Sequence, residues 1–218
     1  ALRLGMGVDD VVISTNSGDP PLFDRSSVDL VEAVEQCEII ERDEPAQYVT
    51  VKEPVTFGGN RGDFLTFLPP ENGEKKLRLD VAIDFSSVIG QQRIVFDVTP
   101  DSFRHGAFAR TNASHRQMLM VRLFGFLFAD TRNLGYTTDN ILIHGKHKYY
   151  GEPRFVQEDS GKALEPVWHR ATLDLLAAIA LIDIGRFVGR VVSYRAGHTL
   201  DVRAVGLLYK HNLLEPLE

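Results

Sequence analysis

The chain has 218 residues, 44% hydrophobic, 25% charged and 9% aromatic, a balance that excludes a disordered or low-complexity protein. Its formal net charge of −6 argues against nucleic acid as the main partner, because phosphate binding needs a cationic surface. A single cysteine, Cys37, excludes an internal disulfide and a cysteine-rich zinc cluster and fits a reducing, cytoplasmic setting, while the longest apolar run, Leu175 to Ile182, is too short to span a bilayer.

In chain order, the sequence opens Ala-Leu-Arg-Leu and enters a β-rich run at once, Val8 to Ser14, closed by the turn-like Asn16 to Pro21. An opening without Met, signal peptide or earlier pairing element implies an incomplete first subdomain, expected over residues 1–45. Ser26 or Ser27 is placed to cap a helix carrying Val28, Leu30, Val31 and Val34. A polar, Pro-containing stretch around Asp43 to Ala46 predicts the boundary to a second domain, 46–218. Alternating strands are predicted at Tyr48 to Phe57, Phe64 to Pro70, Leu77 to Phe85 and Arg93 to Pro100, separated by turns, which favours an antiparallel sheet. A helical stretch opens at Ser102, the apolar Met118 to Ala129 follows, and Asn140 to Gly145 reads as a strand. A loop from Lys146 to Lys162 leads to a helix from Glu165, and the strand ending at Gly197-His198 follows. The fold class is therefore α+β: two layered sheet-plus-helix subdomains, the first incomplete at its N-terminus.

The candidate chemistry lies on the last helix and strand. His169 and Asp174 are five residues apart, which in an α-helix separates them by roughly 140° around the axis. Either Asp174 is an ordinary helix carboxylate, which the spacing alone favours, or one extra residue is absorbed as a π-bulge that turns it back beside His169. His198 stands where a strand end opens into a cleft, although a lone histidine there is more often structural. His144, Lys146 and His147 form a histidine-rich tract that also suits a solvated loop. The sequon at Asn112 and the Arg61-Gly62-Asp63 tripeptide read as accidental. Met118 to Ala129 suits an acyl-chain passage, with a buried core helix as the default.

The stretches GMGVDDVVISTNSGDPPLFDRSS, LRLDVAIDFSSVIGQQRIVFDVTPDSF, Phe108-Ala109-Arg110-Thr111, NLGYTTDNILI, EPVWHR and SYRAGHTL carry a further signal. Together they resemble the UDP-3-O-acyl-N-acetylglucosamine deacetylase family, the zinc amidases of lipid A synthesis. They occur in the family's order and cover most of residues 5 to 205.

The resemblance implies roles. His169 and Asp174 would be metal ligands for Zn2+, Arg170 a contact to the substrate diphosphate, and His198 an acid or electrostatic stabiliser. Thr111 would help hold the oxyanion, although the string Arg122 to Phe126 competes for that alignment and would put Leu there. A second helix Asp, which orients the catalytic His in the family, falls on Ala178, or on Ala177 without the insertion. The family's HTxEH-like segment, with one zinc ligand and the Glu base, would lie just before Ala1. The expectation is a truncated or degenerate family member not catalytic by itself, either completed by another segment or partner chain or keeping only the fold and a UDP-sugar or acyl-binding cleft. The alternative is a non-catalytic module that binds a UDP-linked acylated amino sugar or regulates through an exposed sheet edge.

Overall fold

The computed structural model describes residues 1–14, 25–128 and 137–217, with backbone alone for 121, 122 and 124–128. A short helix α1 (Leu2–Gly5) is followed by α2 (Val28–Glu35), which starts after Ser27 as expected. Ser26 Oγ donates to the Ala109 carbonyl at 2.6 Å, tying this helix start to a strand end near the cleft. Strands β1 (Tyr48–Val51), β2 (Val55–Gly58), β3 (Phe64–Leu68), β4 (Leu77–Asp84) and β5 (Gln91–Asp97) follow the alternation read from the sequence. Next come α3 (Pro100–Ala107), β6 (Thr111–Ser114), α4 (His115–Phe128), β7 (Ile141–His144) and β8 (Tyr149–Tyr150). One continuous helical rod then combines α5 (Glu165–His169), a π-helical turn at Arg170–Leu175 and α6 (Leu176–Ile179). β9 (Arg186–Phe187), β10 (Gly189–Tyr194), α7 (His198–Lys210) and β11 (Leu214–Leu217) complete the chain.

The class is α+β, as the sequence implies, but the main sheet is mixed rather than antiparallel. Its order is β2-β3-β10-β4-β5, with β10 antiparallel to β3 and parallel to β4. The reason lies in the route of the chain: β10 arrives after a long crossover through the helices and enters the slot between two sequential strands. Gly189 begins it at φ 123°, where an added Cβ would overlap the Leu68 carbonyl oxygen. Three-stranded sheets β11-β1-β9 and β6-β7-β8 flank it.

Period-2 alternation gives the main sheet two unlike faces. Leu79, Val81 and Ile83 point into a core shared with Phe67, Val167, Leu175, Ile179 and Leu208, and with Val28 and Val31 of α2. The opposite face carries Arg78 paired with Asp97, and Asp80 held by Arg93 and Arg190. The rod is docked by Gln92, a buried amide that donates to the Ile89 and Ala163 carbonyls and accepts from the Val167 N–H, one of the unpaired donors of a helix start. α3 is capped by Thr99, which forms a reciprocal box with Ser102, so it begins at Pro100, two residues before the predicted start. Gly106 of α3 lies directly against Thr172 of the π turn.

Two expectations change. Val8 to Ser14 forms no strand, because no neighbouring strand among the described residues offers it a ladder of hydrogen bonds; Val12 stands 93% exposed. The described part of α4 is not the buried core helix expected by default: Met118 packs on Ile141 and Ile143, while Leu119, Met120 and Leu123 are about half exposed. The turns at 16–21 and 133–136, and the end of the Met118 to Ala129 run, lie outside the described residues.

Candidate active site

The parallel strands β4 and β10 both end at one edge of the main sheet, and the chain segments leaving them form a cleft of about 730 Å³. Its walls include the β2–β3 turn at Gly59 to Asp63, the end of β4 at Asp84 and Phe85, one side of the rod, and the junction from Arg195 to Arg203. The rod brings His169 and Asp174 to this wall. Because Arg170–Leu175 is π-helical, the extra residue is absorbed and Asp174 swings back: Asp174 Oδ1 lies 3.4 Å from His169 Nε2. Of the two readings left open by the spacing, the π-bulge is the one found. His198, first residue of α7, approaches the same carboxylate oxygen with Nε2 at 3.7 Å.

His169 is oriented from behind. Its Nδ1 faces the Ala109 carbonyl at 3.2 Å. With the proton on Nδ1, this contact leaves the Nε2 lone pair toward the cleft, the usual arrangement of a metal-binding histidine. Ala109 is in turn held through its neighbour. The Arg110 backbone N–H and side chain donate to Glu165 at 2.9, 2.7 and 2.9 Å, and Glu165 has no exposed surface. Burial by itself would raise the Asp174 carboxyl, but the neighbouring His169, His198 and Arg170 hold it below its ordinary value. A carboxylate and a lone-pair nitrogen thus face the cleft side by side.

Arg170 lines the floor, but its guanidinium is engaged inside the protein, donating to the Ala196 carbonyl at 2.8 Å and to Asp201 at 2.6 Å. The exposed cations of the cleft are Arg61, Arg195 and Arg203; the sequence reading noted Arg61 only in a tripeptide taken as accidental and did not single out Arg195 or Arg203, because isolated arginines carry no spacing signal. Thr111 begins β6, paired with Ile141 and two residues beyond the carbonyl that holds His169, and its neighbour Asn112 lines the cleft. The competing string Arg122 to Phe126 lies on α4, where of those side chains only Leu123 is described. Ala178, where the second helix Asp would fall, is buried, and Ala177 is exposed. His144 is buried on β7 and His147 is exposed in the loop after it.

His169 Nε2 and Asp174 Oδ1 fit two ligand positions of a zinc ion by donor chemistry. A catalytic zinc takes three protein ligands, and among the described residues no group of three or more His, Cys, Asp or Glu side chains is arranged to hold a metal.

The cleft thus sets a helix-borne His–Asp pair within reach of a second His. The family model for UDP-3-O-acyl N-acetylglycosamine deacetylase matches residues 1–210, and the chain belongs to that family. Similar curated proteins are the UDP-3-O-acyl-N-acetylglucosamine deacetylases of Brucella ovis, Brucella canis and Brucella melitensis, each 27% identical over 212 residues. The match covers 93% of this chain and 66% of each relative, so the chain spans just under two thirds of their length. Among the described residues, no helix is long and apolar enough to cross a membrane.

Proposed function

We propose that this cleft is part of a zinc-dependent deacetylase site for a UDP-linked acylated amino sugar, working in lipid A synthesis in the cytoplasm. The observation that carries the reading is the π turn, which puts Asp174 beside His169 and within reach of His198. Such turns are rare and concentrate at functional sites.

In this reading His169 and Asp174 hold the ion, and a third donor and a general base come from another segment or chain. Bound there, zinc polarises an amide carbonyl and lowers the pKa of water. His198, exposed at the cleft mouth, is placed to give a proton to the leaving amine or to stabilise developing negative charge. Asn112, which lines the cleft, is the nearer candidate to meet an oxyanion, while Thr111, given that role by the resemblance, precedes it on β6 and is not among the cleft-lining residues. The resemblance gave the diphosphate to Arg170. Because that guanidinium is engaged inside the protein, we assign contact with the anion to Arg61, Arg195 and Arg203 instead. The exposed Val12, Ile13 and Ile40 fit association through the first segment. Sedimentation giving a monomer at high concentration would count against that part.

The test is zinc titration and amide hydrolysis with the chain alone and with the missing donor supplied by a longer family chain. His169→Ala should remove zinc binding. His198→Ala should keep zinc and lower turnover by about 10²- to 10⁴-fold. Near-normal turnover in His198→Ala would end its assigned role. The second reading, a non-catalytic binding module, is favoured by the two-donor count among described residues. Sugar-nucleotide binding without zinc uptake or turnover in either preparation would select it.

A further inference from the structure

Arg170 follows His169 by one residue, so its side chain is turned about 100° around the rod, and from the cleft floor its guanidinium is engaged inside the protein. There Nε donates to the Ala196 carbonyl at 2.8 Å and Nη2 to Asp201 Oδ1 at 2.6 Å, with Ser193 Oγ at 3.5 Å. Arg170 is 7% exposed and Asp201 0%. Ala196 lies two residues before His198 and Asp201 three residues after it, so one guanidinium grips both flanks of that imidazole. The segment between is weakly determined on its own. Just before it Arg195 has left-handed backbone at φ 53°, disfavoured for most residues with a side chain, and within it Gly197 has open space where a Cβ would be. The His198–Asp174 approach of 3.7 Å is too long for a hydrogen bond that would fix the ring.

From this geometry we infer that Arg170 and Asp201 are positioning residues, whose buried ion pair sets His198 opposite the His169–Asp174 pair. The catalytic meaning rests on the proposed deacetylase reading; the placement is a property of the folded chain. Stability alone does not account for the pair. Packed apolar side chains of similar volume usually stabilise an interior as well as a buried ion pair or better. This pair also leaves Arg170 Nη1 and Asp201 Oδ2 without a hydrogen-bond partner among the described residues.

The experiment is ¹⁵N-edited NMR of the histidine rings in the whole chain, comparing the unaltered protein, Asp201→Asn and the apolar double variant Arg170→Met/Asp201→Leu. The double variant should stay folded with a similar thermal midpoint and keep the His169 signals, because the Ala109 carbonyl still holds that ring. Its His198 signals should broaden away or move to free-imidazole positions, and Asp201→Asn should show the same change to a lesser degree. In a preparation that cleaves the amide, kcat should fall about tenfold or more with KM nearly unchanged, since a misplaced group costs mainly the transition state. His198 signals unmoved in the double variant would overturn the inference. So would unfolding of that variant, or joint loss of the His169 and His198 signals, either of which marks the pair as general support. The expected NMR change in a chain that never cleaves the amide removes the deacetylase reading and leaves the positioning role intact.

Discussion

Two buried ion pairs flank the cleft, one behind each histidine, and they are built differently. Glu165 receives four N–H groups: three from Arg110, and the Arg154 backbone at 2.6 Å. Arg110 also donates to the Thr138 and Glu152 carbonyls at 2.5 and 2.8 Å. Asp201 receives one short bond from Arg170, and its second oxygen is buried with no hydrogen-bond partner among the described residues. Burial pushes the Asp201 carboxyl up, while Arg170 pulls the other way. A fully satisfied network specifies a single geometry, whereas a partly satisfied one leaves room for rearrangement. The His169 side is therefore the fixed half of the cleft and the His198 side the adjustable half.

The largest way to break this comparison is Glu165→Ala. Removing one partner leaves the Arg110 charge buried without compensation, and about 3–5 kcal/mol of stability should be lost in a denaturant melt. A loss below about 1 kcal/mol would mean that Arg110 finds other acceptors and that the two halves are alike. Next is Gly106→Ala. A methyl group there overlaps Thr172, and crowding a packed interior costs about 1–3 kcal/mol. An unchanged melt would show that the π turn yields freely. A gentler change sharpens the contrast: deleting Leu173, the half-buried residue of the π turn, should restore the ordinary i→i−4 ladder. The His and Asp would then stand four apart, still on one face. Thermal stability should change by less than about 1 kcal/mol, the scale of a single backbone hydrogen bond; collapse of the fold would show that the extra residue is indispensable.

The smallest effect lies far from the cleft. The Arg93 hydrogen bonds hold the Asp80 carboxyl below its ordinary value, with Arg190 helping. A carboxyl depressed in the folded state contributes its full stability above its unfolded value of about 3.9 and loses it as pH falls through the lower, folded value. Asp80→Asn should flatten the acid limb of stability below about pH 4, and overlapping limbs would remove Asp80 from that account.

The strands were legible because Leu79, Val81 and Ile83 alternate with polar or small neighbours, and alternation is a local property. The slot of β10 was not, since sheet order is decided by where the crossover lands and leaves no mark on any one strand. Val8 to Ser14 shows the reverse error: β-propensity is written in those residues, but pairing needs a neighbour. His169, Asp174 and His198 were found by residue type and by the family resemblance. Their convergence was not readable from spacing, because a π turn is a choice of backbone hydrogen bonds that side-chain periodicity does not record. Arg170 was assigned outward by analogy; its place one residue after His169 already directed it inward.

The bare backbone of Gly106 gives the cleft wall a distant dependency. Thr172 is the residue that the enlarged turn pushes toward α3, and it nests in the notch that the missing side chain leaves. Any gain of bulk on that second helix would press the turn back toward ordinary winding and swing Asp174 away from its histidine. The cleft would thus be disarmed from behind, with every side chain that lines it still in place.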